Sequence, residues 1–394
     1  LSRGLGDVYK RQKVSTTRNY RRSSRGNDFK YDFLLNFAVG GLLIIGTLLV
    51  YAGTRDWFKS SGLDPEYYLK RHTLNILIGA LLAYGTTLID YRLLRAYTPI
   101  VWAAAVLGLI IVLIPGLGSE VNGSKAWISL PGGFQLQPAE LAKIAIIVGI
   151  AMILSDRDQV DKDPSDLDIL KVLALSAVPV LLIVLQPDLG TVLIISASIL
   201  AMIGASGAKP RWVVGLLLLA AAGGFVAVQS GVVNDYQVAR LQSFVDPTSD
   251  PRATGYQLRQ SRITIGSGGF FGKGLFNGPQ TNGRFVPEQQ TDFIFTVAGE
   301  EIGFLGCSVI LGLFTLFFIR AFYICNRSRD LFGRLVSIGV IAWFAFQTFE
   351  NIGMAMGLMP MTGVPLPFLS YGGSSMFANL IGVGLLHNIH SRSH

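Results

Sequence analysis

The chain has 394 residues, of which 51% are apolar and only 15% charged, and its formal charge is +8. No segment is left over to build a separate soluble core, and the two cysteines, Cys307 and Cys325, sit in or beside one apolar run and give no disulfide framework. Composition therefore points to a polytopic membrane protein, with the basic excess serving topology and lipid contact rather than nucleic-acid binding.

The opening LSRGLGDVYKRQ matches nothing downstream and is read as an assembly remnant. Residues up to about Lys30 are polar and basic, which predicts a disordered cytoplasmic tail over 1–30. No cleavable signal peptide is expected, so the first apolar segment should remain as a membrane helix. From residue 31 onward the chain reads as one transmembrane domain, 31–394.

A span needs about 20 apolar residues to cross a ~30 Å hydrocarbon core. Windows of that kind fall at Phe33–Tyr51, Thr73–Ile89, Pro99–Ile114, Pro138–Leu154, Leu170–Leu185, Leu189–Ala205 and Val213–Val228. Three more lie within Phe293–Ile319, within Leu335–Met356 and at Ser375–Ile389. The expected fold is all-α, with about ten transmembrane helices. Lys and Arg in the tail, at 91–95, at 209–211, around 320–334 and at Arg392 place both termini in the cytoplasm. Arg55, Lys59, Lys70 and Arg71 run against that rule but are outnumbered. One large extracellular loop, 232–291, then joins helices 7 and 8. Its aromatic residues, from Tyr236 to Phe285, predict that it packs against something.

Polar outliers gather at the outer ends of the helices. In VNGSKAWISLPGGFQLQPAELAK, Pro138 and Glu140 suit a helix start, but Lys143 falls a turn inside the membrane and needs a partner. Glu140, three residues away, can supply it. QPDLGT, with Gln186, Pro187 and Asp188, reads as a tight turn in which Asp188 caps the sixth helix. In the long loop, Arg262, Lys273 and Arg284 are candidate anion holders, and the glycines at 266–274 offer backbone N–H groups, a weak signal that flexible turns explain equally well. FVPEQQTDFIFTVAGEEIGFLG brings Glu288, Asp292, Glu300 and Glu301 to the start of the eighth span. A continuous helix from Asp292 to Ile319 would be about 42 Å long, too long for the bilayer core, so its first turns must project outward or line a wet groove. A helix dipole would accommodate Glu300 and Glu301 there. Glu350 and Asn351 precede a rigid turn with Pro365, Pro367, Ser370, Tyr371, Gly372 and Gly373. His387 and His390 follow the last span without the further ligands a metal site needs.

A transporter would place polar groups at the membrane midplane, whereas this chain keeps its midplane apolar. The stretches VNGSKAWISLPGGFQLQPAELAK, QPDLGT, QSRITIGSGGFFGKG, FVPEQQTDFIFTVAGEEIGFLG and NIGMAMGLMPMTGVPLPFLSYGGSS together resemble the SEDS family (shape, elongation, division and sporulation) of bacterial membrane proteins. MTGVPLPFLSYGGSS looks like the RodA-type elongation branch.

That resemblance implies a multi-pass protein of the bacterial cytoplasmic (inner) membrane. It would be an inverting peptidoglycan glycosyltransferase that polymerises lipid II at the outer face during cell elongation. It assigns Asp292 as the catalytic aspartate. Glu140 and Lys143 match its central cavity and Trp127 its outer-loop tryptophan. Where the family often has Arg before that Trp, this chain has Ala126, with Lys125 one place earlier. Lys125, Trp127, Glu140, Lys143, Arg262, Lys273, Arg284 and Glu288 are the candidate substrate-binding set. No cofactor is required, though a divalent cation (Mg or Mn) is compatible. Implied partners are a class B penicillin-binding protein, lipid II, membrane lipid and an elongation complex. A lipid II flippase and a non-catalytic scaffold are the competing readings.

Overall fold

The computed structural model describes residues 31–121, 124–156, 163–229 and 254–393, with four more positions between 238 and 244. The expected tail, 1–30, and the first part of the 232–291 connection lie outside the described residues.

The chain is mostly helical. In order come α1 (Phe33–Ser60), α2 (Tyr67–Leu88) and α3 (Tyr91–Leu113), then three short strands. There follow α4 (Pro138–Ser155), α5 (Asp166–Val184), α6 (Leu189–Ala205) and α7 (Pro210–Gln229). The outer connection holds α8 (Thr254–Ser267) and α9 (Pro279–Asn282). The last helices are α10 (Ile294–Glu301), α11 (Gly303–Arg327), α12 (Leu331–Met356) and α13 (Gly373–Arg392). Each apolar segment expected from the sequence is largely helical, the eighth in two pieces. Among the described residues six helices, α1, α3, α4, α5, α11 and α12, are long and apolar enough to cross a membrane by length and composition.

Local chemistry explains the ends. Asp32 caps α1 through Leu35 N, Ser165 and Asp168 form a reciprocal capping box on α5, and Gly357 ends α12 with φ +74°. α4 and α12 are apolar around most of their circumference and are the most enclosed spans, as such a pattern requires. α12 packs on α4, α6 and α11, α11 packs on α1, and α13 runs along α2. At the inner end, Arg320 of α11 grips Asp32, and His387 of α13 meets Asn36 (Nε2 to Oδ1, 2.7 Å), so α1 is tied to both.

Two features depart from the expected all-helical outline. The segment expected as a plain outer loop holds a three-stranded antiparallel sheet: β1 (Gly118–Val121), β2 (Ser124–Leu130) and β3 (Phe134–Leu136). Its register slips between Ser119, opposite Trp127, and Glu120, opposite Lys125, so Ala126 is the extra, buried residue of a bulge. The eighth span also breaks where a continuous helix was expected. α10 stops at Glu301, and α11 restarts at Gly303 with φ +64°. A Cβ on Gly303 would lie 2.2 Å from the Gly272 nitrogen, so the glycine-rich turn of the outer loop wedges into the break. That turn also finishes α11: the carbonyls of Gly269 and Phe270 accept from Phe304 N and Leu305 N, both at 3.0 Å.

Candidate active site

Asp292 sits on a turn, just ahead of α10. The turn is pinned from several sides. Asp292 N donates to Glu288 O (3.0 Å), and Gln289 Nε2 donates to Gly53 O of α1 (2.7 Å) and Thr281 O (2.9 Å). Tyr371 N donates to Gln290 O (2.9 Å). Asn351 of α12 donates to both Asp292 O and Val364 O, each at 2.7 Å, and clamps the aspartate to the 358–372 turn. The Asp292 side chain is half-buried, with Gly363 against it: a Cβ there would lie 3.3 Å from Oδ2. Burial pushes its carboxyl up to about 6, the Glu288 charge adds to the rise, and the Arg240 guanidinium opposes it. A carboxylate so placed accepts a proton near neutral pH.

Three helix N-termini converge beside this turn. α4 begins after Gln137, whose Nε2 donates to Asp188 (2.9 Å). Asp188 caps α6 through Thr191 N (3.0 Å) and the Thr191 hydroxyl (2.8 Å). α13 begins at Gly373, and Ser374 Oγ accepts from Gln137 N (2.8 Å) and donates to Gln135 O (3.0 Å). Gln186 is fully buried and donates to Leu109 O (3.1 Å), with Pro187 making the bend to Asp188. The positive ends of these helices offset the local acids.

Below them lies a buried polar network. Lys143 Nζ is 2.9 Å from Glu140 Oε2, 3.3 Å from Gln347 Oε1 and 4.7 Å from the centre of the Trp343 ring. Trp343 Nε1 donates to Gln347 Oε1 (2.6 Å), and Gln347 Nε2 donates to Pro365 O (2.8 Å). Pro367 and Ser370 are buried in the same turn, where Ser370 Oγ accepts from Leu366 N (2.8 Å).

The remaining candidates are dispersed. Arg262 caps the C-terminus of α12, donating to Met356 O (3.2 Å) and Gly357 O (3.0 Å). The Arg284 guanidinium lies 3.8 Å over the Trp57 ring. Lys273 is exposed, and its backbone N–H donates to Glu300 O. The amides of Gly268, Gly269, Gly272 and Gly274 are likewise spent on backbone carbonyls, so the 266–274 turn is a wedge rather than an anion cradle. Lys125 is exposed opposite Glu120, while the half-buried Trp127 pairs with Ser119. Glu288 accepts from Gln290 Nε2 (3.2 Å).

Glu300 and Glu301 close α10 instead of opening a helix. Glu300 accepts from Gln280 N, Thr281 N, the Thr281 hydroxyl and the Ser267 hydroxyl, and so caps α9 from a distance. Glu301 accepts from Phe276 N.

The sequence reading missed Glu350 as a site residue. It is fully buried on α12, and neither carboxyl oxygen makes a well-formed hydrogen bond among the described residues, although the Thr362 hydroxyl is near. Its neighbour Asn351 holds Asp292, a role no local signal announces. Among the described residues no three His, Cys, Asp or Glu side chains converge on a metal position.

Residues 33–394 match the family model for FtsW, RodA and SpoVE, described as cell cycle proteins. A probable peptidoglycan glycosyltransferase FtsW of Trichlorobacter lovleyi is 38% identical over 91% of this chain and 93% of its own length. Peptidoglycan glycosyltransferase MrdB of Escherichia coli is 34% identical over 89% and 92%. In structure, the chain is similar to a chain of a peptidoglycan synthase complex that coordinates polymerization and crosslinking (TM-score 0.76, 30% identity, 92% of this chain and 98% of the other). The rod shape determining protein RodA of Thermus thermophilus aligns with a TM-score of 0.67, 30% identity, and 92% and 98% coverage.

Proposed function

Because this chain belongs to the FtsW–RodA–SpoVE family of cell cycle proteins, we propose that it is a peptidoglycan glycosyltransferase that polymerises lipid II. It is a multi-pass protein of the bacterial inner membrane. The observation that carries the proposal is Asp292: a pinned, half-buried carboxylate with its affinity for protons raised, set on a turn beside three helix N-termini.

Asp292 takes the proton of the acceptor sugar hydroxyl as that oxygen attacks the anomeric carbon of the lipid-linked chain. The new O–C1 bond forms as the C1–O bond to diphosphate breaks on the opposite face, which inverts the anomeric centre. The polyprenyl diphosphate leaves with the bonding pair. Asn351 and Gln289 fix the height of Asp292, and the Glu140–Lys143–Gln347 network holds α4 against α12 beneath it. Where a Mg or Mn ion accompanies the substrate, the diphosphate oxygens would be its main ligands, and it would neutralise charge on the leaving group.

The stretch MTGVPLPFLSYGGSS favours the elongation branch, and we assign the chain there. Similarity to a chain of a peptidoglycan synthase complex supports a class B penicillin-binding protein as its partner. The test is polymerisation of purified lipid II by this protein with its cognate partner, wild type against Asp292→Ala. Glycan from the wild type alone, with both proteins folded, is the expected result. Near-normal glycan from the variant would remove Asp292 as the base. Lipid II movement across liposomes with no polymer would replace the enzyme with a transporter.

A further inference from the structure

The leaving diphosphate needs a holder, and the three basic side chains expected to supply it do not come together: Arg262 caps α12, Arg284 stacks on Trp57, and Lys273 stands in solvent. We propose that the N-terminus of α13, with His72 and Asn75 of α2, is a phosphate-binding recess that takes the diphosphate of a polyprenyl-linked saccharide. This deepens the glycosyltransferase reading and rests on it.

The amides of a helix's first turn have no intrahelical acceptor and carry the positive end of the dipole. In α13 those amides belong to Gly373, Ser374 and Ser375. Gly372 supplies no side-chain cap, and the first backbone bond of the helix runs from Met376 N to Gly372 O (3.2 Å). Neither serine hydroxyl closes the end. Ser374 Oγ is taken by the β3–α4 junction, and Ser375 Oγ leans back on Gly372 O at 3.4 Å. Two glycines in a row leave the backbone open to close approach by an oxyanion.

An independent observation comes from α2. Asn75 is 2% exposed, its Oδ1 makes no hydrogen bond among the described residues, and Nδ2 and Oδ1 both lie 3.6 Å from where a Cβ on Gly373 would stand, so a half-turn of the amide presents the N–H donor that an anion needs. His72 is fully buried, and neither ring nitrogen has a hydrogen-bond partner among the described residues. Its ring centre is 6.1 Å from that of Tyr371, just ahead of the glycine pair. His72 and Asn75 are three residues apart and share one face of α2. Buried polar side chains are almost always satisfied, so two orphans at an uncapped helix end mark a place for a ligand.

Depth and connection agree with a lipid-borne phosphate. Asn75 lies eight positions along α2 from Tyr67, about 12 Å below the outer end of that helix. A phosphate can reach this level while its polyprenyl chain remains in hydrocarbon. Through Tyr371 N and Gln290 O the recess is joined to the turn that carries Asp292.

The test is direct binding to the full-length protein in phosphatidylcholine nanodiscs, with three probes: polyprenyl diphosphate, lipid II, and phosphatidylglycerol as a competitor. Gly373→Ala adds a methyl at ordinary contact distance, so the fold should hold while the recess fills. Asn75→Asp adds a negative charge to the same place. Both should weaken polyprenyl diphosphate and lipid II by on the order of tenfold or more, with Lys273→Ala unchanged. If Asn75→Asp fails to fold, Gly373→Ala and His72→Ala carry the test. Wild-type affinity in the folded variants overturns the site. Displacement of polyprenyl diphosphate by equimolar phosphatidylglycerol overturns the assignment to substrate and makes the recess a bulk-lipid contact. If wild type binds polyprenyl diphosphate, Gly373→Ala does not, and no glycan forms with the partner present, the recess stands and the glycosyltransferase reading falls.

Discussion

The outer-loop wedge and the central cleft are built from the same residue types and end in opposite states. In the wedge, Glu300 accepts four hydrogen bonds, the glycine amides all meet carbonyls, and Glu301 accepts from Phe276 through one oxygen while Oε1 stays unmet among the described residues. In the cleft, Glu350, His72 and Asn75 are buried with polar atoms unmet among the described residues, and Asp292 is held by its backbone while its carboxyl stays open on one side. Satisfied acids hold structure together, whereas unmet ones are retained at a cost that a ligand can repay. Position in the sequence does not separate the two classes, since Asp292 and Glu300 are only eight residues apart.

The comparison can be broken most sharply at Asp292. Asp292→Asn should lower polymerisation by about 10²- to 10⁴-fold with no loss of thermal stability. A drop in melting temperature that matches the drop in activity would move Asp292 into the structural class. Lys143→Ala should do the reverse, because it leaves the buried Glu140 without its counter-charge. A cost of about 3–5 kcal/mol is expected, partly recovered in the double variant with Glu140→Gln, as read by thermal unfolding. Glu300→Ala should cost about 3 kcal/mol and expose the 268–284 segment to protease, since it orphans the amides of Gln280 and Thr281.

The pH profile gives a smaller and more specific effect. With the Asp292 carboxyl raised to about 6, the base is ionised above that pH and protonated below it. Activity should therefore fall about tenfold per unit as pH drops below 6. A flat profile down to pH 5 would remove Asp292 from the rate-limiting proton transfer. Arg262→Ala should cost at most about 1 kcal/mol through the lost helix cap and leave lipid II turnover near wild type. Lost turnover with unchanged stability would return Arg262 to the substrate.

Much of the fold was legible because hydropathy writes membrane helices plainly. α6 has the bounds Leu189–Ala205 expected from its apolar run, and the other spans differ at their ends, apart from the eighth, which breaks. The sheet was hidden because SLPGGFQL reads as a turn, while its strands are stabilised by pairing across it. The break at Ile302–Gly303 was hidden because the apolar run continues through it, and the cause lies some thirty residues upstream at Gly272. In the site, Asp292, Glu140 and Lys143 stood out as charges in apolar surroundings. His72 and Asn75 did not, because a single polar residue in a helix reads the same whether it meets a neighbour or a void. Only α13, far away in the chain, gives those two residues their setting.

The break between α10 and α11 has a mechanical consequence. A single rigid rod would pass every change in bilayer thickness straight to Asp292, since longer lipids change the tilt of a span and shorter ones thin the membrane around it. Here the rod is interrupted at Gly303, where the 266–274 turn is bonded to both pieces, and α10 is fixed by Glu300, Gln289 and Asn351 to the wedge, α1 and α12. The height of the aspartate is then set by protein contacts and not by the length of the surrounding acyl chains. Reconstitution in lipids of stepped chain length should show turnover nearly level across several ångströms of thickness, and Gly303→Ala, whose Cβ would stand 2.2 Å from the Gly272 nitrogen, should dislodge the wedge and lower turnover at every thickness.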